Sequence, residues 1–280
     1  MSQTLGLGHW DSHRRTVPAS QRKRGTLNRG TFAAFAGATL ALSLALAGPA
    51  RAEPEGKTKI AFVGDSTADG LWGGFTSLVP REACLKSNVE LGRFAKNSTG
   101  LTRPQKFDWV EELRRIGESF KPQLFVMSLG LNDRQSVVEN GKVTLETTSE
   151  YPAKYKERVT AALKSAAGAN ARLLWVGLAA MREAAADRDA REKNKLFSEA
   201  ISELADPRIE YVEPWKLSPS GDDKFASFGP DGKGKMIQIR TSDGEHFTSA
   251  GDMLVAAYLL PKIVATLVKA GVKLSEACAS

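Results

Sequence analysis

The sequence predicts an α/β fold, a three-layer α/β/α sandwich around a mostly parallel, open sheet. Two observations predict it. From Lys57 onward, short apolar runs alternate with amphipathic stretches, without an internal repeat or low-complexity linker. The runs are also apolar at nearly every position, as strands buried on both faces must be. Strand and helix in strict alternation imply right-handed crossovers and helices on both faces of one sheet.

The first strand is Ile60–Val63, followed by a turn and a helix start at Gly64-Asp65-Ser66. Val89–Phe94 is the next candidate strand. Phe107 to Phe120 then places Trp109, Leu113 and Ile116 on one helical face, and Pro122 ends it. Leu124–Leu129, Leu173–Gly177 and Ile209–Val212 read as further strands. Tyr151 to Ala167, closed by Gly168, and Glu183 to Leu204 read as the helices between them. The acids of this last helix read as its wet face. A final amphipathic helix runs from about Ser249 to Ala270.

Residues 218–240 break the alternation. Gly221, Gly229, Pro230, Gly232 and Gly234 punctuate two short apolar pieces, which reads as a hairpin-like insertion. Phe225 to Phe228 is expected to face Met236 to Arg240 across a turn at Pro230 to Lys235. The expected organisation is thus a leader over residues 1–52 and one domain over 53–280 carrying this insertion.

Charge supports that division. The net charge of +7 suggests a polyanion partner until the charges are located. The first 52 residues hold seven Lys/Arg and one acid, leaving 32 basic against 31 acidic residues in the rest. The basic character therefore belongs to the leader, and nucleic acid is excluded as an expected partner. Basic residues from Arg22 to Arg29 precede an uncharged run of 17 residues, Thr31 to Ala47, and then Gly48-Pro49-Ala50-Arg51-Ala52. Small residues at Ala50 and Ala52 fit an A-x-A cleavage site, so a signal peptide cleaved before Glu53 is expected. Export to the periplasm or beyond follows, with no stable membrane association once the leader is removed. The competing expectation is an uncleaved anchor, for which 17 residues is near the lower limit of a bilayer span. The Arg14-Arg15 pair lies too far from the apolar run to act as a twin-arginine signal.

Cys84 and Cys278 both follow the leader. In an oxidising compartment they are able to pair, although the sequence does not say whether their Cα atoms approach closely enough. Neither has the spacing that zinc or redox chemistry needs. No metal or organic cofactor is expected, and the sequence is silent on oligomeric state.

Histidine is the most informative count. Of three, His9 and His13 lie in the leader, so the exported chain would keep only His246. One histidine does not make a multi-histidine zinc site, but it suffices as a general base. It stands in Arg240-Thr-Ser-Asp-Gly-Glu-His246, with Asp243 three residues earlier across a glycine, where a turn brings the carboxylate to one ring nitrogen. Taken alone, the same segment reads as a surface Asx turn followed by a Thr248 helix cap.

Three other segments end strands where ligands bind in open α/β sheets. Gly64-Asp65-Ser66 puts a hydroxyl at a helix N-terminus whose free N–H groups suit an oxyanion, although Ser66 by itself also reads as a helix cap. Ser98-Thr99-Gly100 offers a bare backbone N–H. Gly130-Leu131-Asn132-Asp133 offers the Asn132 amide as a donor, with Asp133 expected to fix the loop through backbone N–H groups. Arg240 and Lys235 read as solvated hairpin charges, and Trp72 as either pocket wall or core.

These four blocks, in this order, resemble the signature blocks of the SGNH (GDSL-type) hydrolase superfamily: Gly64-Asp65-Ser66, Gly100, Gly130-Leu131-Asn132-Asp133, and Asp243-Gly244-Glu245-His246. The wording around them is similar to that of a largely uncharacterised exported bacterial subfamily. Thr67 departs from the leucine of the GDSL name at a position that does not react. The resemblance implies a flavodoxin-like open sheet, Ser66 as nucleophile, His246 as base and Asp243 as its orienting acid. It implies an oxyanion hole formed by Ser66 N–H, Gly100 N–H and the Asn132 side chain. It also implies a small-molecule or glycan ester as substrate, with hydrolysis, O-acetyl transfer to an envelope polysaccharide or peptidoglycan, and non-catalytic glycan binding as the alternatives.

Overall fold

In chain order the elements are β1 (Thr58–Gly64), α1 (Ser66–Leu78), β2 (Val89–Ala95), α2 (Trp109–Ser119), β3 (Leu124–Ser128), β4 (Val137–Glu139), β5 (Lys142–Thr144), α3 (Tyr151–Ala167), β6 (Arg172–Val176), α4 (Ala184–Leu204), β7 (Ile209–Val212), β8 (Phe228–Pro230), β9 (Met236–Gln238) and α5 (Ser249–Lys269). The structure is a computed structural model that describes residues 56–83, 85–214 and 223–274. The expected leader and cleavage site, Cys84, Cys278 and the first part of the insertion lie outside the described residues.

The central sheet has five strands in the order β2-β1-β3-β6-β7, and every pairing is parallel. This is the flavodoxin-like order, with helices on both faces, as expected from the alternation. All five residues of β3 are buried, because it is the middle strand and is covered on both sides. One face is covered by α1 and α5, with Leu71, Phe75, Val255 and Leu259 packed on Ile60, Phe62 and Val126. The other is covered by α2, α3 and α4, where Trp109, Leu113, Tyr155 and Phe197 pack on Ala61, Val63 and Trp175.

Helix ends follow local chemistry. α2 starts two residues later than its apolar pattern suggests because the Asp108 side chain caps Val110 N–H. α4 starts at Ala184 because the Glu183 carboxylate accepts from Ala185 and Ala186 N–H. Its charged residues are not all wet. Lys193 is buried, paired with Asp189 and lying over the Tyr155 ring.

Two hairpins depart from expectation. In the insertion, β8 begins at Phe228 rather than Phe225 and pairs antiparallel with β9, closed by Asp231, whose carboxylate accepts from Lys233 and Lys235 N–H. Phe225 instead stacks against arginines of the site described below. The β4–β5 hairpin has no counterpart among the elements expected from the sequence. It turns at Asn140-Gly141, both with positive φ (50° and 75°), the pair that a two-residue hairpin turn favours.

Candidate active site

The four sequence blocks converge at the C-terminal edge of the sheet. β1 leaves the sheet at Gly64, whose φ of 142° and contact with β3 admit no side chain: a Cβ there would lie 1.7 Å from Ser128 O. Asp65 follows as the N-cap of α1, accepting from Thr67 N–H at 2.9 Å. Ser66 is therefore the first residue of the helix, and Asp65 takes the capping role that Ser66 alone suggests.

Asp65 does more than cap. Fully buried, its second carboxylate oxygen accepts from the N–H groups of Gly130 and Leu131, both at 3.0 Å. One carboxylate thus ties the Ser66 turn to the loop that carries Asn132. Burial pushes its pKa up, against the opposing pull of the Thr67 and Gly130 hydrogen bonds. Thr67, at the position where the GDSL name has leucine, bonds Asp65 Oδ1 at 2.7 Å and Ser128 Oγ at 2.8 Å, bracing the same junction.

Ser66 Oγ lies 2.7 Å from His246 Nε2, and His246 Nδ1 lies 2.8 Å from Asp243 Oδ2. The other Asp243 oxygen accepts from Thr241 Oγ1 at 2.5 Å and from the N–H groups of Glu245 and His246 at 2.8 and 3.0 Å. Burial alone would raise the Asp243 pKa, but these hydrogen bonds outweigh it and hold the carboxyl well below the usual range. The Asx turn and the His246–Asp243 pair are one structure: the turn bonds to one carboxylate oxygen and leaves the other for the imidazole. Thr248 caps α5 directly behind, through Gly251 N–H at 3.1 Å.

The loop carrying His246 is closed by an Arg240–Phe247 bridge and held from inside by Arg240. Arg240 is not a solvated hairpin charge; it is 3% exposed, because Phe225 and Phe247 sandwich its guanidinium at 4.9 and 4.4 Å. Its N–H groups reach the carbonyls of Ala180 and Glu245 at 2.8 Å and of His246 at 3.3 Å. Burial draws its pKa down to about 10, so it stays cationic at neutral pH. Arg182 holds the outer side, donating to Ser242 O and Thr241 O, and packs so closely that a Cβ on Gly244 (φ 79°) would lie 2.5 Å from its own Cβ. Arg240→Met is expected to lower kcat for an ester about ten- to a hundredfold with little change in KM, because it displaces the imidazole without touching the substrate. Lysine should not rescue it, since one ammonium does not reproduce the planar fork. Steady-state kinetics of both variants checks this.

Gly100 and Asn132 occupy the neighbouring loops after β2 and β3. Asn132 Nδ2 donates to Thr99 O at 3.1 Å, which joins the two loops. Asp133 acts as expected, accepting from Leu101 and Thr102 N–H at 2.9 and 3.0 Å, with Thr102 Oγ1 and Tyr155 OH as further donors. Gly100 must lack a side chain, since its Cβ would lie 2.1 Å from Asp133 Oδ1. Trp72 packs on the α1–α5 core beneath Arg93 rather than in the site.

A cavity of about 100 Å³ opens on the α5 side of Ser66 and His246. Its walls are mainly apolar, with Leu71, Val176, Leu178, Met181 and Val255 among them. The β6–α4 loop that forms one wall is fixed by Asn194, which bonds both Leu178 N–H and Leu178 O at 2.8 Å. Gly100 and Asn132 are not part of this lining. Asp252 is, a residue that the sequence does not single out.

Burial pushes the Asp252 carboxyl up to about 7, against the pull of His246 and Arg240 and with repulsion from Asp69. The folded chain therefore holds this proton more tightly than the unfolded chain. Stability is full below the ordinary carboxylate pKa and is lost as pH rises toward 7. Asp252→Asn should accordingly raise Tm by about 3 to 8 °C at pH 8 and leave it nearly unchanged at pH 4. Melting curves at the two pH values check the sign.

Comparison with known proteins agrees with this fold. A carbohydrate esterase family 3 protein from Talaromyces cellulolyticus superimposes with a TM-score of 0.51 at 13% identity, over 76% of this chain and 99% of that one. A mutant acetyl esterase with acetate ion gives 0.52 at 12% identity over 76% and 99%. The acetyl xylan esterase AlAXEase gives 0.50 at 18% identity over 73% and 99%. No curated protein matches the chain. The SGNH resemblance read from the four blocks is borne out at the level of the fold. The chain belongs to the family described as "Protein of unknown function (DUF459)", which matches residues 59–262.

Proposed function

We propose that this protein is an exported serine esterase that cleaves a short acyl ester, with acetyl the first candidate, through an acyl-enzyme on Ser66. The observation that carries this reading is the continuous hydrogen-bond chain from Ser66 Oγ to His246 to Asp243, 2.7 and 2.8 Å long, at the mouth of a small apolar cavity. Asp243 accepts from His246 Nδ1–H and so leaves Nε2 free to take a proton.

In the first step His246 Nε2 removes the Ser66 hydroxyl proton as Oγ bonds to the ester carbonyl carbon. The carbonyl oxygen becomes an oxyanion facing Ser66 N–H, Gly100 N–H and the Asn132 amide. The C–O bond to the alcohol then breaks, and the His246 imidazolium returns the proton to the departing alcohol. In the second step water enters, gives its proton to His246, and its oxygen attacks the acyl carbon. Collapse releases the acid and restores the Ser66 hydroxyl.

A cavity of about 100 Å³ suits a group of few heavy atoms, which favours a short acyl chain over a fatty one. Structural neighbours named as acetyl and acetyl xylan esterases make an acetylated glycan the first substrate class to try. The leader expected from the sequence favours a substrate outside the cytoplasm. Labelling of Ser66 by a fluorophosphonate probe, abolished in Ser66→Ala, tests the reading. No labelling under conditions that label a control esterase would overturn it and favour a binding protein. Incubation with an activated acetyl donor and an oligosaccharide then separates hydrolysis from transfer: free acetate alone supports the esterase, and acetylated sugar supports the transferase.

A further inference from the structure

Asp252 shares the cavity with Ser66 and His246, and α1 and α5 are shaped to put it there. The two helices come into close contact at two glycines of α1. A Cβ on Gly70 would lie 2.5 Å from Asp252 Oδ1, and one on Gly74 would lie 2.3 Å from Asp252 O. A side chain at Gly74 would press on the α5 backbone, and one at Gly70 would displace the carboxyl itself. The close approach therefore serves to set a carboxyl among apolar walls.

Among the described residues, no N–H or O–H donates to that carboxyl. The two arginines that hold the His246 loop are committed elsewhere: Arg240 to the carbonyls of Ala180 and Glu245, Arg182 to those of Thr241 and Ser242. A half-buried carboxyl left without a donor costs stability. A hydroxyl on a molecule bound in the cavity would supply the missing partner, and an analogue lacking it would leave the carboxyl unpaired.

We propose that Asp252 is a specificity-determining residue that accepts a hydrogen bond from a hydroxyl of the bound ester, so that the cavity beside Ser66 selects hydroxylated substrates. A carboxyl near half protonation at neutral pH pairs well with a hydroxyl, since each is able to donate and to accept. The hydroxyl has two chemical sources, a hydroxyacyl chain or a polyol or sugar alcohol. The inference rests on the esterase reading above.

The test uses two pairs of esters with the purified protein, Asp252→Leu and Asp252→Asn. The acyl pair is p-nitrophenyl 3-hydroxybutyrate against p-nitrophenyl butyrate. The alcohol pair is glycerol monoacetate against propyl acetate. In one pair, the wild-type protein should favour the hydroxylated ester about ten- to a hundredfold in kcat/KM, mostly through KM. The pair that shows the preference identifies the source. Asp252→Leu should abolish the preference, and Asp252→Asn, matched in shape and still an acceptor, should reduce it severalfold. The asparagine variant decides the matter should the leucine variant fail to melt cooperatively. Equal selectivity in wild type and variants, or a uniform fall in kcat on all four esters, would overturn the proposal. Absence of fluorophosphonate labelling and of all turnover in wild type would instead sink the esterase reading itself. Labelling and turnover without an Asp252-dependent ratio would sink this inference alone.

Discussion

Replacing His246 with alanine is expected to cut kcat on p-nitrophenyl acetate by about 10⁴- to 10⁶-fold, and Ser66→Ala should cost about as much. Ser66 Oγ has one basic partner, His246 Nε2 at 2.7 Å, and residues 53–280 contain no other histidine. Without it the hydroxyl keeps its proton at neutral pH. The double variant should be hardly worse than either single one, because the two side chains act as one unit. Additive losses would mean that they do not share a proton and would remove the basis for the mechanism. Asp243→Ala should cost about one to two orders of magnitude less than His246→Ala. The Asp243 side chain is 47% exposed, so solvent partly replaces the carboxylate electrostatically, and what is lost is mainly the turn that aims the ring. Fluorophosphonate labelling rates of wild type, His246→Ala and Asp243→Ala give an independent measure, since labelling needs the activated Ser66 hydroxyl but no ester substrate.

The sheet was legible because β1, β3 and β6 are buried on both faces and so read as uninterrupted apolar runs. The candidate site was legible because its residues lie in four short segments, three after strands and one before α5, each with its own local signal. What could not be read is what those segments meet in space. Arg240 looks solvated in sequence, and its burial depends on Phe225, 15 residues earlier, and on Phe247 across a bridge. Asp252 looks like an ordinary acid in the first turn of a helix, and it is a cavity residue only because Gly70 and Gly74, on a helix far away in sequence, admit α5 so closely. Asp65 was visible as part of a motif, yet its bonds to Gly130 and Leu131 N–H span 65 and 66 residues. The β4–β5 hairpin is a different case. Asn140-Gly141 between Val137-Val138 and Lys142-Val143 is a local signal, present in the sequence but overshadowed by the larger alternation.

Asn132→Ala is expected to lower kcat by about 10² to 10³ with KM nearly unchanged, the loss of about 3 to 4 kcal/mol that follows removal of one oxyanion donor. The geometry argues for a donor held ready rather than one that moves into place. One Asn132 N–H is fixed on Thr99 O at 3.1 Å, and Asn132 O accepts from Gln135 Nε2 at 2.8 Å through the main chain, so both ends of the residue are held before substrate arrives. A preset donor gains strength only as the carbonyl oxygen takes on charge, and so it acts on kcat and not on binding. Asn132→Asp should be worse than alanine, because a carboxylate there would face both Thr99 O and the developing oxyanion. The order wild type, alanine, aspartate in kcat is therefore the expected result. If the aspartate variant matches the alanine one, the side chain does not face the reacting oxygen, and the hole must be formed by backbone N–H groups alone. Gly100→Ala does not provide the same test: its Cβ would strike Asp133 Oδ1 at 2.1 Å and break the carboxylate's bonds to Leu101 and Thr102 N–H, so stability would fall together with turnover. Asn132→Ala leaves the Asp133 bonds intact and removes only the Nδ2 bond to Thr99 O, so it should cost less stability than Gly100→Ala while lowering the rate.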